Sequence, residues 1–294
     1  MPKTIALNAL PSTSEVYGNA VLEMLPGIGK PAKVSSSARV PDTVYTVSDL
    51  KIDADQVRAY CAATGLKFGE YLPLTFPFVS QFPLMMRTMV ARDFPFGAVG
   101  SVHLGNRIHR RRPIALGEPL SIATHAQNLR EHRKGILVDI VSEIRVGSEL
   151  VTEQVSTLLK QQRTSLSGGP KSTPPKDHRP PAPDVVLAVD LGRIREYAAA
   201  SGDRNPIHMA NLTAKAFGFP RAIAHGMWTA GAILANVDSY LPDDVTYEVK
   251  FGKPILLPAK VYGYVDAVTD GGYDVSVLNR TKGYPHLTGT LRGA

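Results

Sequence analysis

Polar and apolar positions alternate along VTYEVKF, KVYGYVDAV and YDVSVLN late in the chain, and along LSIATHAQ, ILVDIVSEIRV and LVTEQVSTLL earlier on. A period of two sends successive side chains to opposite faces, so these segments predict antiparallel strands with one buried face. GMWTAGAILANVDSYL, Gly226–Leu241, is apolar nearly all round and rich in Ala and Gly. It predicts a buried helix whose small residues let a sheet approach closely. Each half predicts a short helix, a loop, a second and longer helix, and then strands. Asp53 caps the first short helix in this reading, with Gln56 completing a capping box. The order predicts an α+β fold with a sheet wrapped around a central helix. The stretch before about residue 45 carries the least pattern, and its first alternating segment reads as an opening strand.

QQRTSLSGGPKSTPPKDHRPPAP, Gln161–Pro183, is rich in Pro, Ser, Gly and Lys, lacks apolar periodicity and reads as a linker. It separates halves that look alike. VRAYCAATG at Val57–Gly65 matches IREYAAASG at Ile194–Gly202, and RPIALGEPLSI from Arg112 resembles KPILLPAKVYG from Lys253. The offsets are 137 (Tyr60 to Tyr197) and 141 (Pro113 to Pro254). Two similar segments in one order and at one spacing suggest duplication of a domain. The expected layout is a domain over 1–160, a linker over 161–183 and a second domain over 184–294.

Composition narrows the class. Hydrophobic residues make up 44% and charged residues 20% of the 294, an ordinary globular balance. No apolar run reaches a membrane span, and the N-terminus does not read as a secretory signal. The single Cys61 rules out an internal disulfide and fits a reducing, cytoplasmic setting. The eight histidines show no metal-ligand spacing, so no metal and no cofactor are expected. The net charge is +7, and the densest basic stretch is NRIHRRRPI, with Arg107, Arg110, Arg111 and Arg112. No aromatics interleave there, which argues against nucleic acid. The run reads as a solvated sheet edge or, more sharply, as a landing site for an anionic carrier.

SGDRNPIH, Ser201–His208, places Asp203 and His208 five residues apart with Pro206 between them. Neither a helix nor a strand brings that pair together, whereas Asn205-Pro206 is a turn signal. A bent chain would aim both groups into one pocket. Taken singly, Asp203 is a turn or cap residue, Asn205 closes an Asx-turn and His208 is structural. Together in one motif they read as acid–base chemistry.

The stretch YAAASGDRNPIH, followed by AKAFGFPRAIAHGM, resembles the signature of the MaoC-like, or R-specific, enoyl-CoA hydratases (hydratase 2). The likeness covers residues 197–227 directly, and the strand pattern extends it to about residue 290. Leu72–Ile108 resembles the degenerate N-terminal half of double-hotdog 3-hydroxyacyl-thioester dehydratases. The resemblance implies two pseudo-twofold-related hotdogs, a degenerate one in the first domain and a catalytic one in the second. TGLKFGEY stands in the first half where the second has SGDRNPIH, so one active site per chain is implied. The first half would make room for the acyl chain. Met209 replaces a frequent acidic residue, Trp228 a smaller aliphatic one, and KPILLPAKV lacks the usual Gly-Asp.

The implied activity is hydration of 2-enoyl thioesters, or dehydration of (R)-3-hydroxyacyl thioesters, in fatty acid metabolism. Asp203 and His208 would hold one water between them. The candidate oxyanion and substrate-binding residues are Gly226, Ser201, Asn205, His225 and Met227. Gly226 offers a free N–H at a helix start and close approach. Ser201 either orients Asp203 or begins the turn, and Asn205 shapes the turn. His225 has the plainer reading of a residue preceding the helix, and Met227 of helix packing. His103, His109 and His125 lack a partner motif. The carrier, CoA or acyl carrier protein, stays open, as does pairing into a homodimer. The competing readings are a hotdog thioesterase and a non-catalytic acyl-thioester-binding protein.

Overall fold

The computed structural model describes residues 2–12, 15–18, 33–35, 37–168, 178–269 and 271–293. Part of the linker, 169–177, and parts of the first 45 residues lie outside the described residues. The fold is mixed α+β. It divides into two compact units that do not follow chain order: 1–51, 78–106 and 119–172 form one, and 52–77, 107–118 and 173–294 form the other.

In the first unit the strands are β1 (Lys3–Leu7), β2 (Thr43–Leu50), β3 (Ser101–Arg110, of which 107–110 belong to the second unit), β4 (Leu120–His132), β5 (Gly135–Val146) and β6 (Glu149–Gln161). They run in the order β1-β2-β4-β5-β6-β3. β1 is parallel to β2, and the β2–β4, β4–β5 and β5–β6 pairs are antiparallel. The helix Pro77–Met89 lies buried in this unit, with Phe78, Phe82, Leu84 and Met85 in the core. A row of polar side chains also enters that core. Thr124 and Ser142 share a hydrogen bond of 2.8 Å, and Ser142 Oγ donates to Gln81 Oε1 on the helix at 2.9 Å. Buried polar groups of this kind are tolerated when they satisfy one another.

The second unit has β7 (Val185–Val189), β8 (Val245–Phe251), β9 (Ala259–Ala267), β10 (Tyr273–Asn279) and β11 (Pro285–Gly293). Their order is β8-β11-β10-β9-β7, each pair antiparallel. Its helices, numbered after α1 (Ala54–Thr64) and α2 (Pro77–Met89) in chain order, are α3 (Leu191–Ser201), α4 (Pro206–Met209), α5 (Asn211–Ala216) and α6 (Gly226–Leu234). α6 is buried nearly throughout. Tyr247 Oη donates to Ala230 O at 3.0 Å, joining the sheet to α6. A Cβ at Gly263 of β9 would meet Ile233 Cδ1 at 2.7 Å, so glycine there admits the helix.

α6 is shorter than the sequence predicts, ending at Leu234 rather than Leu241. Asn236 Nδ2 donates to the Ala232 and Ile233 carbonyls and so ends the helical ladder. A 3-10 turn, Asp238–Tyr240, follows. Asp53 does cap α1, accepting from Asp55 N–H, but Gln56 does not complete a capping box. Its Nε2 donates instead to Ala200 O of α3 at 2.8 Å, a tertiary partner that outcompetes the local one.

The repeated segments are α1 and α3, and both lie in the second unit. Asp53 and Asp190 cap them, and each ends on a left-handed glycine, Gly65 (φ 84°) and Gly202 (φ 74°). Their buried tyrosines, Tyr60 and Tyr197, meet with ring centroids 5.7 Å apart. Each is followed by the same isolated bridge, Tyr71 with Ala115 and Ile223 with Leu256. The chain covers Gly65 to Tyr71 in six residues but Gly202 to Ile223 in twenty-one. The extra length carries α4 and α5.

Asp190 Oδ1 accepts from Arg193 N–H at 2.9 Å. Asp190→Ala is expected to lower the unfolding free energy by about 1 kcal/mol. The measurement is a shift of the urea midpoint at unchanged slope, and an unmoved midpoint would show the cap to be dispensable.

Candidate active site

The inserted segment bends because its short polar side chains bind its own backbone. Asp203 N–H donates to Ser201 Oγ at 3.2 Å, and Asn205 N–H donates to Asp203 Oδ1 at 3.2 Å. Asn205 then caps α4, accepting from Ile207 N–H at 3.4 Å, with Pro206 at the first helical position. This single turn carries His208. Asn211 Oδ1 accepts from Ala222 N–H at 3.0 Å and closes the loop. Ala224 N–H then donates to Ile255 O, and Leu257 N–H to Ala222 O, which pins the returning strand.

Three side chains converge there. One ligand-type atom each from Asp203, His208 and His225 lies within 4.8 Å of the others. His208 and His225 are 7% and 2% exposed, whereas the Asp203 side chain keeps 18%. His208 Nδ1 lies 2.7 Å from Ile223 O and His225 Nε2 lies 2.9 Å from Asp203 O. A carbonyl only accepts, so these nitrogens carry the protons, and Nε2 of His208 carries a lone pair. The two imidazoles stack at 3.7 Å and 29°. Tyr197 lies against the His225 ring at 4.9 Å.

Burial pushes the His208 imidazolium below its ordinary range, against opposing help from Asp203 and the Ile223 carbonyl. Burial, and then repulsion from His208, take His225 down to about 3, against the pull of Asp203. Both rings are neutral at pH 7. The cluster has donor types that suit a divalent ion, but its geometry does not. Lone pairs lie in the ring planes, and near-parallel stacked rings do not converge on one ion at about 2.1 Å. What the cluster does offer is one neutral base and one carboxylate, close enough to share a water.

The "MaoC like domain" profile matches residues 173–289. The 3-hydroxyacyl-thioester dehydratase X of Mycobacterium tuberculosis is 49% identical over 260 residues, 88% of this chain and 92% of that protein. The chain belongs to the MaoC-like dehydratases. The crystal structure of HtdX from Mycobacterium tuberculosis matches with a TM-score of 0.77 at 49% identity, covering 85% of this chain and 99% of that one. A MaoC-like dehydratase from Phytophthora capsici shares the fold at 16% identity, with a TM-score of 0.68 over 85% of this chain and 94% of that one.

In this MaoC-like dehydratase the sequence-selected residues fall together on the inserted loop and the start of α6. Ser201 is buried and holds the Asp203 backbone. Gly226 is the first residue of α6, and a Cβ there would strike the Phe251 ring at 2.9 Å. Met227 and Trp228 are buried, and Trp228 Nε1 donates to Ala63 O at 2.8 Å. His109 lies apart, paired with Asp244 at 2.9 Å. Within the basic run, Arg110 donates to the Pro242 and Asp243 carbonyls and Arg112 pairs with Glu118, so part of that charge is already engaged. Sequence reasoning missed Ile223 and Phe251. They act through a backbone carbonyl and a ring contact, neither of which leaves a motif. A recess of about 1020 Å³, with Arg193, Arg221, Lys260 and Arg280 among its walls, does not include Asp203, His208 or Gly226.

Buried neutral histidines tie stability to pH. Their folded pKa values lie below the ordinary 6.5, so the unfolded chain binds more protons in acid. The stability they contribute is intact above about pH 6.5 and falls below it, for His225 by about 1.4 kcal/mol per pH unit. For His225 the decline extends to about pH 3. Urea unfolding at several pH values is expected to show this slope, and His225→Phe to reduce it by one histidine's share.

Proposed function

We propose that this chain adds water to 2-enoyl thioesters and removes it from (R)-3-hydroxyacyl thioesters, at the single Asp203–His208 pair. The supporting observation is the neutral His208 ring, bonded through Nδ1 to Ile223 O and clustered within 4.8 Å of a partly exposed carboxylate. Two acceptors within 4.8 Å can hold one water by two ordinary hydrogen bonds. On hydration, His208 Nε2 takes a proton as the water oxygen bonds to C3. The C2–C3 electron pair moves toward C2 and the thioester oxygen. A proton passes from the Asp203–His208 pair to C2, and the pair returns to its starting state. Dehydration runs the same steps backwards.

The charge that develops on the thioester oxygen needs a donor. The N–H groups of the first turn of α6 have no carbonyl in their own helix, and Thr229 is the first to bond back, to His225 O at 3.1 Å. Gly226 N–H is the donor in this reading, aided by the positive end of the helix. Ser201, Asn205 and Met227 shape the pocket rather than react. We extend the reading to a double hotdog with domains 1–160 and 184–294 joined by 161–183. The carrier is CoA or acyl carrier protein, and the cytoplasmic setting rests on the lone, buried Cys61.

The test follows the enoyl-thioester absorbance with crotonyl-CoA, a longer 2-enoyl-CoA and the acyl carrier protein thioester. Wild type is expected to bleach the band without releasing thiol. Asp203→Asn and His208→Ala are each expected to lose about 10²–10⁴-fold. Release of free thiol would make the protein a thioesterase, and binding without turnover would make it an acyl-binding protein.

A further inference from the structure

The Asp203–His208 pair is held by a third residue that faces both members. His225 sits between the rings of Tyr197 and His208, at 4.9 and 3.7 Å. Its Nε2–H reaches across 22 residues to the Asp203 carbonyl. The same nitrogen is 3.8 Å from Asp203 Oδ2. Its other nitrogen, Nδ1, is buried with no hydrogen-bond partner among the described residues. The ring therefore offers the pair one flat face and one donor. Its proton is engaged by the Asp203 backbone carbonyl rather than by the carboxylate. It also precedes Gly226, so the ring, the Asp203 turn and the start of α6 are tied at one point.

We propose that His225 is a positioning residue: an uncharged wedge that sets the ring plane of His208 with its face and the aim of Asp203 with its Nε2–H. The inference rests on the reading of that pair as the reacting one. His225 stays neutral while His208 gains and loses its proton, because two cations do not stack at 3.7 Å in a largely buried site. A lysine or arginine could supply a donor at this place, but not a neutral face. A phenylalanine could supply the face, but not the donor.

Two variants separate the two contributions. His225→Phe keeps the face and loses the donor, and His225→Gln keeps an N–H and loses the face. Both are expected to melt cooperatively and to bind enoyl-CoA with little change in KM, while kcat falls about 10- to 100-fold, as for a misaimed catalytic group. A positioning residue acts through others, so adding either change to Asp203→Asn is expected to cost little more. The same further loss in the Asp203→Asn background would overturn the proposal, because His225 would then act independently of the pair. A fall in KM affinity and melting temperature with kcat unchanged would overturn it too, leaving a packing role. So would wild-type kcat in either variant, since the wedge needs both contacts.

Imidazole-nitrogen NMR provides a readout that does not depend on turnover. Wild-type His208 is expected to hold one tautomer with the proton on Nδ1, and His225→Gln, in which the unsupported ring tilts off the Ile223 carbonyl, to show a mixture. A single unchanged tautomer in that variant sinks the wedge. Inactivity of the wild type on every thioester sinks the functional reading instead, and the NMR result still decides the role of His225.

Discussion

Two imidazole rings stacked at 3.7 Å and largely buried cannot both carry charge. That condition shapes the surroundings. Each ring must donate its one N–H to an acceptor that never ionises, and each finds a backbone carbonyl: Ile223 for His208, Asp203 for His225. Those carbonyls must be held still. Ile223 sits between Ala222 and Ala224, which are bonded to Leu257 and Ile255. Asp203 is fixed by Ser201 on one side and Asn205 on the other. The strand connection Pro254–Leu257, the end of α3 and the start of α6 therefore serve the same two rings.

The constraint also explains the role of the inserted segment. α1 and α3 are one helix built twice, with equivalent caps, equivalent tyrosines and equivalent bridges after them. After α1 the chain turns back at once through Gly65 and six residues. After α3 it takes fifteen more and spends them on α4 and α5. A turn of six residues has no room for an N-capped helix and a return loop, so the first copy cannot build the pair even where its flanking helix is the same. The shared framework provides rigidity, and the added loop carries Asp203 and His208.

The start of α6 is constrained from two sides. Phe251 closes on the Cα of Gly226, so any larger residue must displace an aromatic ring. His225 occupies the position before it and makes no side-chain cap, because its ring is committed to Asp203. The first-turn N–H groups thus receive no side-chain cap from that position.

Much of this was legible in the residues alone. Period-two alternation located β8 and β10 to the residue, and Asp53 marked a helix start, because these depend on local chemistry. The five-residue spacing of Asp203 and His208 around Asn205-Pro206 required a bend, and the bend is built from the side chains named for it. Other features were settled only by contacts distant in the chain. Gln56 reaches Ala200 rather than its own helix start, and α6 stops where Asn236 captures its last carbonyls. α1 joins the second unit, although it lies more than a hundred residues before that unit's longest segment, 173–294. His225 looks in sequence like a residue that merely precedes a helix. Its stacking on His208 depends on a loop closing over 22 residues, and no local pattern encodes the distance between two rings brought together by a fold.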